Sequence, residues 1–211
     1  MENWNYIGIE GVIGVGKTTL ATILSQRFQA KTIFEEVDDN PFLPLFYEDP
    51  SKYAFVTQIF FLLSRYKSLK EITTREIFTR RVISDYIFDK DRIFASINLD
   101  DRELILYEEL YKMLSRDIPV PDIVIYLQAD TDVLMERIKK RGRIYERNMN
   151  KNYIKKLNEI YNDYFFHYEK SPLIIVNANN VNFLTNQYAI DALIEKINTV
   201  QKDIHYISFN I

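Results

Sequence analysis

Eight consecutive residues, Gly11-Val12-Ile13-Gly14-Val15-Gly16-Lys17-Thr18, carry the clearest chemistry in the chain. They match G-x-x-x-x-G-K-[ST], a loop whose backbone N–H groups wrap phosphate oxygens. Lys17 would reach the β- and γ-phosphates, and the Thr18 hydroxyl would hold Mg²⁺. Three of the chain's five glycines, Gly11, Gly14 and Gly16, lie in this loop. There the backbone must take positive φ and approach a ligand closely. Thr19 opens the helix behind, whose N-terminus favours anions. A glycine-rich turn with no ligand is the bland alternative; the flanking strand and helix patterns argue for phosphate. The expected phosphate-binding set is Gly11, Gly14, Gly16, Lys17, Thr18 and Thr19.

Two carboxylates and two polar clusters add to it. Glu35 ends the apolar run Lys31-Thr32-Ile33-Phe34, and Asp85 ends Arg81-Val82-Ile83-Ser84. A phosphate acceptor is already anionic and calls for arginines, whereas an alcohol acceptor gains from a general base. Glu35 therefore favours transfer to a hydroxyl, with its neighbour Glu36 the weaker candidate. A solvated acidic loop over Glu35 to Asp39 is the competing reading. Asp85 sits where phosphate-loop proteins place a carboxylate for Mg²⁺, or is a surface acid. Arg137 to Arg147 is basic and hinged at Gly142. Its arginines could close as a lid on a transferring phosphoryl group, or form a solvated face. Gln58 and Arg65, seven residues apart, share one side of a long helix pattern. They read either as a base-recognition pair among aromatics or as exposed polar residues.

The elements that must position these groups alternate between strand and helix. Helix patterns run from the phosphate loop to about Phe28, from Ser51 (a plausible N-cap) to about Leu69, from Arg92 to Ile97, from Asp100 to Leu114, from Thr131 to Arg141, from Tyr153 to Tyr168 and from Gln187 to Val200. Phe55, Ile59, Phe60, Leu62, Leu63 and Tyr66 give the long helix a wide apolar stripe. Asp122 to Leu127 is the strongest strand pattern and Leu173 to Val176 the last. The order predicts an α/β fold, a five-stranded parallel sheet with helices on both faces. In such sheets ligands bind beyond the carboxyl ends of the strands, where the phosphate loop, Glu35 and Asp85 all fall.

Composition narrows the classes. A length of 211 residues suits one domain, residues 1–211, with a lid segment at about 137–147. A formal charge of -3 argues against non-specific nucleic-acid binding. There is no cysteine, hence no disulfide framework and no thiolate chemistry. Met1 to Asn5 lacks leader character and no run is long enough to span a bilayer, so no membrane partner is expected and the location is expected to be cytoplasmic. His167 and His205 suggest no metal ligation. The 15 tyrosines and 14 phenylalanines supply core and interface, with some left to line a pocket for a flat ligand.

The ordered set of stretches Gly11 to Thr18, Glu35 to Phe42, Phe46 to Pro50, Gln58 with Arg65, Ser84-Asp85 and Arg137 to Glu146 resembles the deoxynucleoside kinases, notably the bacterial deoxyadenosine/deoxyguanosine kinase type. The resemblance covers nearly the whole chain and implies a P-loop kinase fold. It implies that Glu35 is the base for the substrate 5′-hydroxyl, and that Tyr47, beside Phe46, meets the 3′-hydroxyl together with Glu146. Gln58 would pair with the nucleobase, and Arg65 with Asp91 would favour purine or cytosine over thymine. Arg137, Arg141 and Arg143 would be the catalytic lid arginines beside Lys17, Asp85 a Mg²⁺-shell carboxylate with Thr18, and Asn177-Ala178 the start of the loop beside the donor adenine. One residue departs from the family pattern. Tyr86 stands where an arginine usually follows the acid, and Arg92 is the expected source of the missing charge.

The resulting expectation is transfer of the ATP γ-phosphate to the 5′-hydroxyl of a deoxynucleoside in nucleotide salvage. A purine is favoured, with deoxycytidine as a further candidate. Mg²⁺ serves as cofactor, a homodimer as the assembly, and a deoxynucleoside triphosphate is a candidate feedback inhibitor. The nearest alternative is a nucleoside monophosphate kinase of the thymidylate kinase type. A non-metabolic nucleotide switch is disfavoured because no Asn-Lys-x-Asp or Asp-x-x-Gly motif is present.

Overall fold

The apolar runs Tyr6–Gly11 and Ile123–Gln128 become β1 and β4, the two middle strands of a parallel sheet. All of β1 and all but the last residue of β4 are buried. The computed structural model describes residues 4–73 and 81–209. The first three residues of the Met1 to Asn5 segment lie outside them. With β2 (Lys31–Ile33), β3 (Val82–Ser84), β5 (Leu173–Asn177) and β6 (Ile204–Ile207), the sheet runs β2-β3-β1-β4-β5-β6, and every pairing is parallel.

Eight α-helices connect the strands: α1 (Lys17–Phe28), α2 (Leu43–Glu48), α3 (Pro50–Lys70), α4 (Asp89–Asn98), α5 (Asp101–Ser115), α6 (Thr131–Arg141), α7 (Lys151–Phe166) and α8 (Gln187–Thr199) among the described residues. Strand alternation divides the core between the two faces. Ile7, Ile9 and Ile83 pack with Leu20 and Leu24 of α1 and Leu193 of α8. Tyr6 and Val82 pack with Leu62 and Leu69 of α3 and Tyr107 of α5. At Gly8 of β1 the sheet meets the β3–α4 turn so closely that a Cβ would stand 2.3 Å from Ile87 Cγ2 and 3.2 Å from Pro121 Cγ. Gly8→Ala is therefore expected to destabilise the protein by about 1–3 kcal/mol through overpacking, read from the midpoint of urea unfolding.

Three expectations need correction. The sheet has six strands, not five, because Ile204–Ile207 pairs with β5 at the edge. That strand is short and only half-covered, so it shows no apolar run of the kind that marks the interior strands. Helix α3 is capped by Asp49 rather than Ser51. The Asp49 carboxylate accepts from the Lys52 N–H at 3.3 Å, Pro50 takes the first helical position, and Ser51 Oγ donates to the same carboxylate at 2.7 Å. Finally, the buried side of α3 coincides only in part with the expected apolar stripe, of which Leu62 is buried and Ile59 and Tyr66 pack half-buried against the core. Ala54, Thr57, Gln58, Leu62, Arg65 and Leu69 face inward, while Leu63 is 53% exposed. Gln58 and Arg65 are core residues, which removes the reading of an exposed polar pair.

Candidate active site

The phosphate loop sits at the carboxyl end of β1 and runs directly into α1. Gly14 and Gly16 take φ of 87° and 109°, a region closed to most side chains, which explains their presence. Lys17 Nζ donates to the carbonyl oxygens of Gly11 at 2.7 Å and Val12 at 3.2 Å, so the ammonium is folded back over the loop. Burial, helped by the neighbouring Lys90 ammonium, pushes the Lys17 amine down to about 8. Thr19 is half-buried at the start of α1. Behind the loop lies Glu10, fully buried. Its carboxylate accepts from the Gly11 N–H at 2.9 Å and the Ile87 N–H at 3.0 Å, tying the phosphate loop to the turn after β3. Burial pushes the Glu10 carboxyl up, against the pull of Lys90 and Lys17.

Thr18 and Asp85 meet at the mouth of this loop: Thr18 Oγ1 donates to Asp85 Oδ2 at 2.5 Å. The other Asp85 oxygen accepts from the Glu35 N–H at 2.9 Å. One hydroxyl and one carboxylate, adjacent on a cleft wall, fit Mg²⁺. That ion takes one or two protein oxygens and completes its shell with water and phosphate.

Glu35 follows β2, and its side chain is 13% exposed. Arg65 of α3 holds Oε1 through Nε at 2.9 Å and Nη2 at 2.5 Å. Lys90 of α4 holds Oε2 through Nζ at 2.5 Å. Burial alone would push the Glu35 carboxyl up; Lys90 and Arg65 outweigh it and hold the group well below the usual carboxylate range. Glu36 is exposed.

Asp91 lies behind Arg65 and has no exposed surface. It accepts from Gln58 Nε2 at 2.7 Å, Tyr107 OH at 2.8 Å and Arg65 Nη1. Burial pushes its carboxyl up, opposed by those three donors. Gln58 Nε2 also donates to the Asp91 carbonyl oxygen at 2.9 Å. Both partners of that amide nitrogen are oxygen acceptors, which fixes the amide orientation and leaves Oε1 for a ligand.

One cleft collects most of these groups. Lys17, Glu35, Gln58, Arg65, Lys90 and Asp85 line it, with Phe46, Tyr47 and Phe61 as aromatic wall. Arg141, Arg143 and Glu146 line it from the lid side. Glu146 is buried and takes a two-pronged contact from Arg141, Nη2 to Oε1 at 2.5 Å and Nε to Oε2 at 3.1 Å. The lid lies over the cleft because Tyr145 stacks on Tyr47, with ring centroids 5.8 Å apart, and donates to Asp38 at 2.7 Å.

Several placements differ from the expectations drawn from sequence. Arg137 is turned away from the cleft. Its guanidinium donates to the backbone oxygens of Val15, Ala178, Asn179 and Val181, and so straps the loop after β5 to the phosphate loop. Asn177 ends β5, and Ala178, which is buried, opens that strapped loop. Asp91 stands behind the cleft wall instead of on it. Arg92 is exposed and pairs with Glu108 at 2.7 Å, so it does not supply the charge missing at Tyr86, which is itself buried. The cation beside Glu35 is Lys90, a residue that no sequence motif singled out. Its signal was a lysine in the first turn of the helix after the strand-end acid, on the opposite side from Arg92.

Comparison with known proteins gives consistent relatives. The deoxynucleoside kinase family model matches residues 7–202. A deoxyguanosine kinase of Bacillus subtilis (strain 168) is 42% identical over 160 residues, 74% of this chain and 76% of that protein. The structure of deoxyadenosine kinase from M. mycoides with products dCMP and a flexible dCDP bound superposes with a TM-score of 0.80 at 30% identity, covering 92% of this chain and 99% of the other. The same enzyme with bound dATP gives a TM-score of 0.80 at 29% identity, again over 92% and 99% of the two chains.

Proposed function

The chain belongs to the deoxynucleoside kinase family, and from that premise we propose how its residues move a phosphoryl group from ATP to the 5′-hydroxyl of a deoxynucleoside. The observation that carries the reading is the placing of Glu35 and the phosphate-loop lysine Lys17 on one cleft whose far wall bears Gln58. The O5′ oxygen attacks the γ-phosphorus, and a new O–P bond forms as the bond to the β-phosphate oxygen breaks. The electron pair of the broken bond stays on ADP, and the hydroxyl proton goes to Glu35. Lys17, Arg141 and Arg143 stabilise charge on the transferring group. Thr18 and Asp85 would hold Mg²⁺, which neutralises phosphate charge when bound. Gly11, Gly14, Gly16 and Thr19 would shape the donor cradle, with Asn177 and Ala178 beside the donor base and Arg137 bracing that loop. Tyr47 and Glu146 would meet the sugar 3′-hydroxyl.

The nucleobase would lie against Gln58, which offers Oε1 as an acceptor. That suits a base edge carrying an amino group, as in adenine, guanine and cytosine; thymine could donate its N3–H but would find no donor for O4, because Gln58 Nε2 is taken by Asp91. The relatives' names, deoxyguanosine and deoxyadenosine kinase, support a purine as the preferred base. A deoxynucleoside triphosphate would inhibit by spanning both halves of the cleft, as the dATP complex of the M. mycoides enzyme suggests. Ile105, Leu106 and Met113 of α5, each more than half exposed, would be covered in a homodimer. No helix among the described residues is long and apolar enough to cross a membrane. An enzyme that salvages nucleosides with ATP belongs in the cytoplasm.

The direct test supplies Mg-ATP and each of the four deoxynucleosides in turn. Phosphorylation of deoxyadenosine or deoxyguanosine at a kcat/KM at least about tenfold above thymidine is expected, since a lost hydrogen-bond partner costs about 1–3 kcal/mol. Activity on dTMP or dAMP with none on the nucleosides would overturn the reading.

A further inference from the structure

Among the buried ionic contacts of the described residues, the one between Lys90 and Glu35 has no assigned purpose. A buried ion pair is weak evidence for stability, because well-packed apolar residues often replace one without loss. Its position suggests another use. Lys90 and Glu35 are 5% and 13% exposed, and both side chains line the cleft. The two oxygens of Glu35 are held from different directions, Oε1 by Arg65 and Oε2 by Lys90.

The charge count explains why one cation is not enough. Arg65 is shared between Glu35 and Asp91. Without Lys90, two buried carboxylates would divide a single guanidinium. With it, a second cation joins Arg65 beside the two acids; Glu35 is Lys90's one ion-pair partner among the described residues, while buried Glu10 of β1 and Lys17 of α1 also act on its ammonium. The Lys90 ammonium that meets Glu35 also lies 5.8 Å from the centroid of the Phe94 ring, a cation–π distance. The other charged or titratable groups acting on Glu35 are Lys17 of α1, Asp85 and Tyr86 after β3, and Tyr161 of α7.

We propose that Lys90 is a positioning residue for phosphoryl transfer: its ammonium pins one oxygen of Glu35 on the cleft wall, so that the carboxylate is aimed at the acceptor hydroxyl. The inference rests on the kinase reading above. Lys90 acts through Glu35, so its contribution vanishes when Glu35 can no longer act as a base. A lysine that merely fills space or stiffens the fold contributes the same whatever residue stands at position 35.

That difference is measurable in a double-mutant cycle. Lys90→Met keeps the length of the stem and removes the charge. Its kcat is expected to fall about 100-fold, the lower range for loss of general-base assistance, with KM for deoxynucleoside and ATP within about threefold of wild type. Lys90→Arg, which restores the charge, is expected to recover at least about tenfold of the loss. In a Glu35→Gln background, adding Lys90→Met is expected to cost less than about threefold more. Multiplicative losses would overturn the inference, as would an active Lys90→Met enzyme. If Lys90→Met is too unstable to assay, a folded Lys90→Arg as slow as Glu35→Gln overturns it, and a recovered one supports it. A wild-type protein that phosphorylates no deoxynucleoside would overturn the kinase reading and the inference with it; an active wild type beside an active Lys90→Met overturns the inference alone.

Discussion

Glu35→Gln is expected to lower kcat by about three orders of magnitude while changing deoxynucleoside affinity by less than about tenfold. The amide is nearly isosteric with the carboxylate, so the cleft keeps its shape. What is lost is the cleft carboxylate held by two cations at the point where β2 opens into the site. An amide cannot take the hydroxyl proton, and its NH₂ group would face Arg65 or Lys90 donor to donor. The proposed base contact, Gln58, is left in place, so ground-state binding is expected to survive and the loss to fall on the chemical step. Steady-state kinetics together with equilibrium binding of the deoxynucleoside separate the two effects. A kcat within about tenfold of wild type would remove Glu35 from the base role. The variant should also melt earlier, because Arg65 and Lys90 lose the buried anion they share, leaving Arg65 paired with Asp91 alone and Lys90 with only the Coulombic pull of buried Glu10.

The second large effect is one of stability. Asp91→Ala is expected to cost about 3–5 kcal/mol, because it leaves a buried guanidinium half-compensated. Arg65 Nη1 and Tyr107 OH lose their carboxylate acceptor, and Gln58 Nε2 keeps only the backbone carbonyl of residue 91. All four residues are buried. For a domain of this size each kcal/mol moves the melting temperature by about 2–4 °C, so a fall of about 6–20 °C is expected by calorimetry. Asp91→Asn keeps an acceptor oxygen and should lose less. Surviving activity should show a raised KM for deoxynucleoside, because the amide of Gln58 then keeps one of its two acceptors, the carbonyl oxygen of residue 91, and is held less firmly. A drop of less than about 1 kcal/mol for Asp91→Ala would mean that the network is not what holds α3, α4 and α5 together.

These two predictions depend on different levels of information. Glu35 is legible in the chain itself, because an acid at a strand end, one strand away from a phosphate loop, has few other places to point. Asp91 is legible only through likeness to the deoxynucleoside kinases, and its placing differs from that expectation: it orients the residues that would meet the base from behind the cleft wall.

What the sequence determined by itself is the chemistry that lies along contiguous backbone. The phosphate loop needs glycines at fixed offsets, a lysine and a hydroxyl before a helix, and all of these are local. The alternation of apolar runs with amphipathic stretches likewise determined a parallel sheet, because each period is local and the crossover rule leaves few topologies. Tertiary packing alone decided which side of each helix meets which neighbour. Lys90 and Arg92 are two residues apart and so about 200° apart around α4, and only the docking of α4 against α3, α5 and α7 sends Lys90 to Glu35 and Arg92 to solvent. The same holds for α3, whose polar residues Gln58 and Arg65 are buried while Leu63 is exposed, against every pattern of amphipathicity. It holds for Arg137, drawn from its place in the lid segment to a set of backbone oxygens on two distant loops, and for β6, whose identity as a strand lies in its pairing with β5. In each case the deciding partner is remote in the chain, and a side chain's charge or polarity does not reveal which partner will satisfy it.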